Sequence, residues 1–224
     1  MSGSSRDAIL SRIRHANGGR PHDPARQAVV DARLAEARPG VIPARGQLDP
    51  EARIALFVDM AQRASASVVR VETYAAVPEA VADWLRQNNF PASLRMGEDP
   101  RLAPADFGAT ALEVTTGASQ GDDLNALSHA EGGIAETGTL MFVSSPANPT
   151  SLNFLPENHV AVIAAADIAG DMEALWGMVR SRSGKGLMPR SVNFVTGPSR
   201  SADIEQTLLL GAHGPRALHI IVVG

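Results

Sequence analysis

The chain has 224 residues, 44% of them hydrophobic, a net charge of -4 and no cysteine. That length and hydrophobic content suit one sizeable folded domain with room for an appendage, and they exclude a wholly disordered chain. The missing cysteines exclude disulfides, a thiol nucleophile, and cysteine-ligated zinc or iron–sulfur clusters within this chain.

Charge is unevenly spread. Residues 1–45 hold eight arginines and four acids, whereas the remainder holds 12 basic and 20 acidic residues. The first 49 residues therefore read as a basic helical arm and linker, punctuated by Pro21, Pro24, Pro39, Pro43 and Gly18-Gly19, and residues 50–224 as an α/β domain. One short arm helix is expected, opened by Ser4 with Asp7 three residues on and carrying Ile9, Leu10 and Ile13 between arginines. The arm lacks interleaved aromatics and dense basic clusters, so nucleic acid is not an expected partner. Its Ser- and Arg-rich opening has no long apolar run, so neither a secretory signal nor a membrane span is expected and the expected compartment is the cytoplasm.

The periodicity predicts a helix over 50–64, a strand over 67–71, a helix over 79–87 opened by Pro78, and strands over 94–96 and 111–116. Residues 118–131 read as a short helix with loops leading to a glycine turn at Gly132-Gly133. Further strands are predicted over 140–144, 160–164, 192–195 and 218–223, with helices over 171–182 and 203–210. Residues 183–189, which hold the only lysine, Lys185, read as a loop. Alternating strands and helices predict an open, mainly parallel sheet with helices on both faces.

Two stretches invite chemistry. In Gly132–Phe142, Glu136 and Thr137 lie between glycines ahead of an apolar run, with Gly138 and Thr139 following. A carboxylate at a tight turn beside a strand is a common place for binding chemistry. The second is Gly197–Ala202. If a helix begins at Asp203, with Gln206 completing a capping box, then Gly197, Ser199, Arg200 and Ser201 lie at a helix N-terminus and favour an anion such as a carboxylate. Two histidines are candidates for acid–base work near neutral pH, His159 after Leu155–Asn158 and His213 within Gly211–Pro215. In a simple parallel sheet both lie at strand starts, opposite the Gly197–Ala202 edge. Only mixed strand directions or another subunit would bring them together.

Other motifs fail. Gly197–Ser201 lacks the last glycine of a nucleophile elbow, and neither a P-loop nor a dinucleotide fingerprint occurs. His129-Ala130-Glu131 is half of a zinc-deaminase signature without its cysteines. The histidines have no metal-ligand spacing, so no metal site is expected, and His219 reads as a core or sheet-face residue.

The ordered series Ile134–Leu140, Leu155-Pro156, His159–Val162, Gly197-Pro198-Ser199, Ala202–Glu205 and Gly211–Pro215 resembles the LUD-domain family, most closely its lactate-utilization branch, over roughly residues 65–224. The resemblance implies a fold similar to the ribose-phosphate isomerase and CoA-transferase group. It also implies work with partner proteins, at least one carrying iron–sulfur clusters, in oxidising L-lactate to pyruvate. The chain itself would then be the cluster-free subunit, with no cofactor of its own. By fold analogy alone, the alternative is a free-standing enzyme acting on a phosphorylated sugar, CoA ester or folate-like ligand.

Overall fold

A computed structural model of the chain describes residues 5–18, 23–36, 38–184, 186–202 and 208–224. The chain divides into two compact units, Met1–Val41 and Ile42–Gly224. The first unit contains two helices where one was expected, α1 (Ser5–Ala16) and α2 (Pro24–Glu36), and neither buries a residue. The second arises because Pro24 starts a helix rather than breaking one. Its fixed φ suits the first helical position, and the Asp23 carboxylate accepts the N–H of Ala25 at 3.0 Å.

In the second unit, α3 (Pro50–Arg63) is capped by Asp49, whose side chain accepts the N–H of Ala52, and it buries Ile54, Phe57 and Ala61. Then come β1 (Ser67–Val71), α4 (Val77–Gln87), β2 (Ser93–Met96), β3 (Glu113–Thr116), β4 (Asn125–His129), β5 (Gly132–Ile134) and β6 (Thr139–Val143). The order continues with α5 (Ser151–Phe154), β7 (Asn158–Ala164), β8 (Ile168–Ala169), α6 (Met172–Ser183), β9 (Val192–Val195), β10 (Arg200–Ala202), β11 (Leu208–Leu210) and β12 (Ala217–Val223).

Six strands form a wholly parallel sheet in the order β1-β12-β7-β4-β2-β3. Its central strands are apolar on both sides because both faces are covered. On β7, Ala161 and Ile163 join the core shared with α3 and β6, while Val160 and Val162 join the core under α4. On β12, Leu218, Ile220 and Val222 take the first side, and Ile221 and Val223 the second. A second sheet of mixed direction, β8-β5-β6-β9, has Ile134 and Met141 packed with Leu175 and Val179 of α6.

Three expectations are corrected. Residues 118–131 do not contain a helix: Asn125–His129 is the fully buried strand β4, lying between β7 and β2. Its polar residues hide it from a hydropathy reading, but tertiary partners satisfy them. Asn125 Nδ2 donates to the carbonyls of Pro91 and Ser93, both at 2.9 Å, and Asn125 Oδ1 accepts from Asn158 Nδ2 at 2.9 Å. Asn125→Ala strands two carbonyls and an amide, and is expected to cost about 2–4 kcal/mol in a urea melt. Second, Gly132 and Gly133 are not a turn but strand β5, paired with Met141 and Leu140. They lack side chains because Leu175 fills the space over Gly132, and Ile163 and Phe57 that over Gly133. Third, the helix predicted over 203–210 gives way, among the described residues, to a β-ribbon in which Arg200–Ala202 pairs antiparallel with Leu208–Leu210. The proposed cap residues Asp203 and Gln206, like Lys185 and Ser4, lie outside the described residues.

Candidate functional site

The turn after β5 ends at Gly138, whose N–H donates to Ile134 O at 2.9 Å and whose φ is +64°. A Cβ there would overlap the backbone of Met60 and Ala61 near the end of α3. Gly197, at φ +69°, likewise faces the carbonyl of Ala64. Arg200 donates to that same carbonyl and, at 3.0 Å, to Ser65 Oγ. The glycines and the arginine of both candidate stretches therefore grip the C-terminal end of α3. The Arg200 guanidinium, expected to be free for an anion, is occupied by the chain itself.

Glu136 is buried, with 7% of its surface exposed, and Arg45 Nε donates to it at 3.3 Å. Its own N–H donates to Gly170 O. Residues 42–49 pack around this point: Gly46 abuts the backbone of Gly170, and Gln47 Nε2 donates to Asp171 at 2.7 Å. From the same turn a row of hydroxyls runs outward, Thr137 Oγ1 to Thr139 Oγ1 at 2.7 Å and Thr139 Oγ1 to Thr196 Oγ1 at 2.7 Å.

Thr196 stands in the wall of an open pocket of about 240 Å³, together with Gly197, Ser199, His159, His213 and Asn153. Strand direction explains this gathering. β9 runs antiparallel to β6 in the second sheet, so its exit reaches the amino ends of β7 and β12 in the first. His159, His213, Gly197 and Ser199 thus meet in one pocket. Glu136, Thr137, Gly138, Thr139, Arg200 and Ser201 are not in its wall. Ser199 is held by its N–H to Pro215 O at 2.8 Å, which ties the β9 exit to the segment carrying His213.

His159 is wholly buried in this wall, with its ring 5.3 Å from that of Phe142. Burial lowers its pKa to about 3, so the imidazole is neutral at physiological pH. Its Nε2 lies 2.7 Å from Ser128 Oγ, and Ser128 donates at 2.8 Å to Asn153 Oδ1. Nδ1 of His159 is buried without a partner. Ser128, Asn153 and Thr196 were not singled out from the sequence. Recognising 125–129 as a strand would have placed Ser128 beside His159, since Ala126 is the register partner of His159.

The carboxyl edge of the parallel sheet, where α/β proteins usually bind ligands, carries a network of side-chain bonds. Tyr74 O–H pairs with His129 Nε2 at 2.8 Å, and His129 Nδ1 with Ala130 O at 2.7 Å. Asp99 and Glu131 hold Arg101, and Asn148 Nδ2 donates to His129 O. Burial, and then the Arg101 charge, lower the His129 pKa. His219 is a core residue, as expected: it stacks on Trp84 at 4.9 Å and bonds Ser67 Oγ at 2.8 Å. Among the described residues no cluster of three or more acids and histidines could hold a metal, and no helix is long and apolar enough to cross a membrane.

Residues 125–223 match the model of the LUD domain. Over that stretch the chain is similar to a LUD domain. Every residue of the pocket wall falls inside it. Relatives of the chain include "Lactate utilization protein C" of Geobacillus sp. (strain WCH70), 40% identical over 91 residues, which is 40% of this chain and 38% of the relative. The protein of that name from Shouchella clausii is 38% identical over 90 residues, 40% of this chain and 39% of the relative. That from Geobacillus thermodenitrificans is 31% identical over 144 residues, 56% of this chain and 60% of the relative. The matches thus span from about two fifths to three fifths of these relatives' own length. A crystal structure of a DUF162 family protein from Deinococcus radiodurans shares the fold, with a TM-score of 0.56 and 22% identity, covering 79% of this chain and 99% of that one.

Proposed function

We propose that this chain serves lactate utilization as the cluster-free subunit of a complex that oxidises L-lactate to pyruvate, with the pocket at His159 receiving the carboxylate. The observation that carries the proposal is the identity with relatives named lactate utilization protein C. Removing two electrons and two protons from lactate needs an electron acceptor. A chain with no cysteine has no ligands for a cysteine-bound cluster, so iron–sulfur partner proteins would take the electrons. Within the pocket, Ser199 and His213 offer donors for a carboxylate, and an imidazole retains an N–H in either protonation state. The reaction and the partners belong in the cytoplasm in this reading.

The test is anaerobic, lactate-dependent dye reduction by this chain alone, by the cluster-bearing partners alone, and by the mixture. Activity in the mixture only is expected. Equal rates with and without this chain would overturn the role. Turnover by this chain alone would point instead to a free-standing enzyme.

A further inference from the structure

The row Asn153–Ser128–His159 fixes a proton. Asn153 presents Oδ1 to Ser128, and an amide oxygen only accepts. The single hydroxyl proton of Ser128 is therefore given to Asn153. Ser128 Oγ, 2.7 Å from His159 Nε2, has only lone pairs left to offer, so Nε2 carries the imidazole proton and donates it. That leaves Nδ1 as a bare lone pair, buried and without a partner, on a ring that belongs to the pocket wall. Burial keeps the ring neutral well below physiological pH, so Nδ1 has no proton to offer. The orphaned Nε2 of His219 differs, because that ring lies under Trp84 and is not in the wall of this pocket.

We propose that His159 Nδ1 is the acceptor for the hydroxyl of a bound 2-hydroxy carboxylate, and that the pocket thereby selects the hydroxy acid over the corresponding 2-oxo acid. The inference rests on the lactate reading above and names the atom that would read the substrate. A hydroxyl donates to the lone pair and satisfies it. An oxo oxygen only accepts, so it sets two lone pairs against each other and leaves Nδ1 unpaired. Leaving a buried acceptor unpaired corresponds to roughly tenfold to hundredfold weaker binding. The same asymmetry favours release of the oxidised product.

The experiment is two-bond proton–nitrogen NMR of the full chain labelled with 15N-histidine at pH 7, titrated with L-lactate, pyruvate and propionate. His159→Gln assigns the resonance. Ser128→Ala, which leaves the ring in place, marks the same resonance by its shift. The expected result is a proton on Nε2, a shift of the Nδ1 signal on adding L-lactate, and at least tenfold weaker binding of pyruvate. A proton on Nδ1 in the free protein overturns the proposal, and so does pyruvate binding as tightly as lactate. The expected tautomer with no response to L-lactate also overturns it, while the dye-reduction assay reads the subunit role separately.

Discussion

Lowering the pH from 7 to 4.5 is expected to remove about 5 kcal/mol of folding stability, through the buried histidines. Burial lowers the pKa of His159 to about 3 and that of His219 to about 4, against an ordinary value of 6.5. The unfolded chain therefore takes up protons near pH 6.5 that the folded chain refuses until far lower. Stability rises with pH wherever the unfolded state binds more protons, so it falls as the pH drops from about 6.5 towards 4. Each refused proton contributes about 1.4 kcal/mol per pH unit, and two histidines over about two units give the stated loss. His129, also lowered, acts in the same direction. A loss of that size is comparable with the whole stability of many domains, about 5–15 kcal/mol. Urea unfolding at a series of pH values checks it, and His219→Gln should remove roughly half of the slope. A flat profile between pH 6.5 and 4.5 would contradict the neutral, buried state of these rings.

The second large effect is expected at Gly138. Gly138→Ala should cost about 2–5 kcal/mol, as two independent penalties add. A side chain at φ +64° costs about 1–2 kcal/mol. The new Cβ also meets the backbone of Met60 and Ala61 in α3, which cannot turn aside as a side chain can. Displacing it adds roughly 1–3 kcal/mol. For a chain of this size that lowers the melting temperature by about 4–20 °C. Gly133→Ala is the informative comparison. Its Cβ would meet Ile163 Cδ1 at 2.9 Å and Phe57 Cε2 at 3.0 Å, both side-chain atoms, and its φ is not positive. It is expected to lose less. Equal losses at the two positions would show that the approach of α3 to the turn is not what requires a glycine.

Much of the fold was legible because most elements carry their own signal. Strand 67–71 is β-branched and helix α3 has apolar residues at helical spacing. The runs in β7 and β12 are continuously apolar because both faces of the parallel sheet are covered. β4 was not legible, since Asn125 and Ser128 look like loop residues until neighbouring strands supply their hydrogen bonds, and His129 until Tyr74 supplies one. The same holds for Gly132 and Gly133, whose bare backbones make room for Leu175, Ile163 and Phe57 from elsewhere in the chain.

By itself the sequence determined the α/β class, the absence of thiol chemistry, the family resemblance and a list of candidates, Glu136, Thr137, Gly138, Thr139, His159, Gly197, Ser199, Arg200, Ser201 and His213. It could not determine that His159, His213, Gly197 and Ser199 share one pocket, or that Glu136 and Arg200 stand outside it. Those outcomes depend on β9 running antiparallel to β6 in a second sheet, and strand direction is set by long-range pairing that no local stretch encodes. The proton on His159 is a tertiary decision too. It depends on Asn153 and Ser128, brought beside His159 only when α5 and β4 pack against β7.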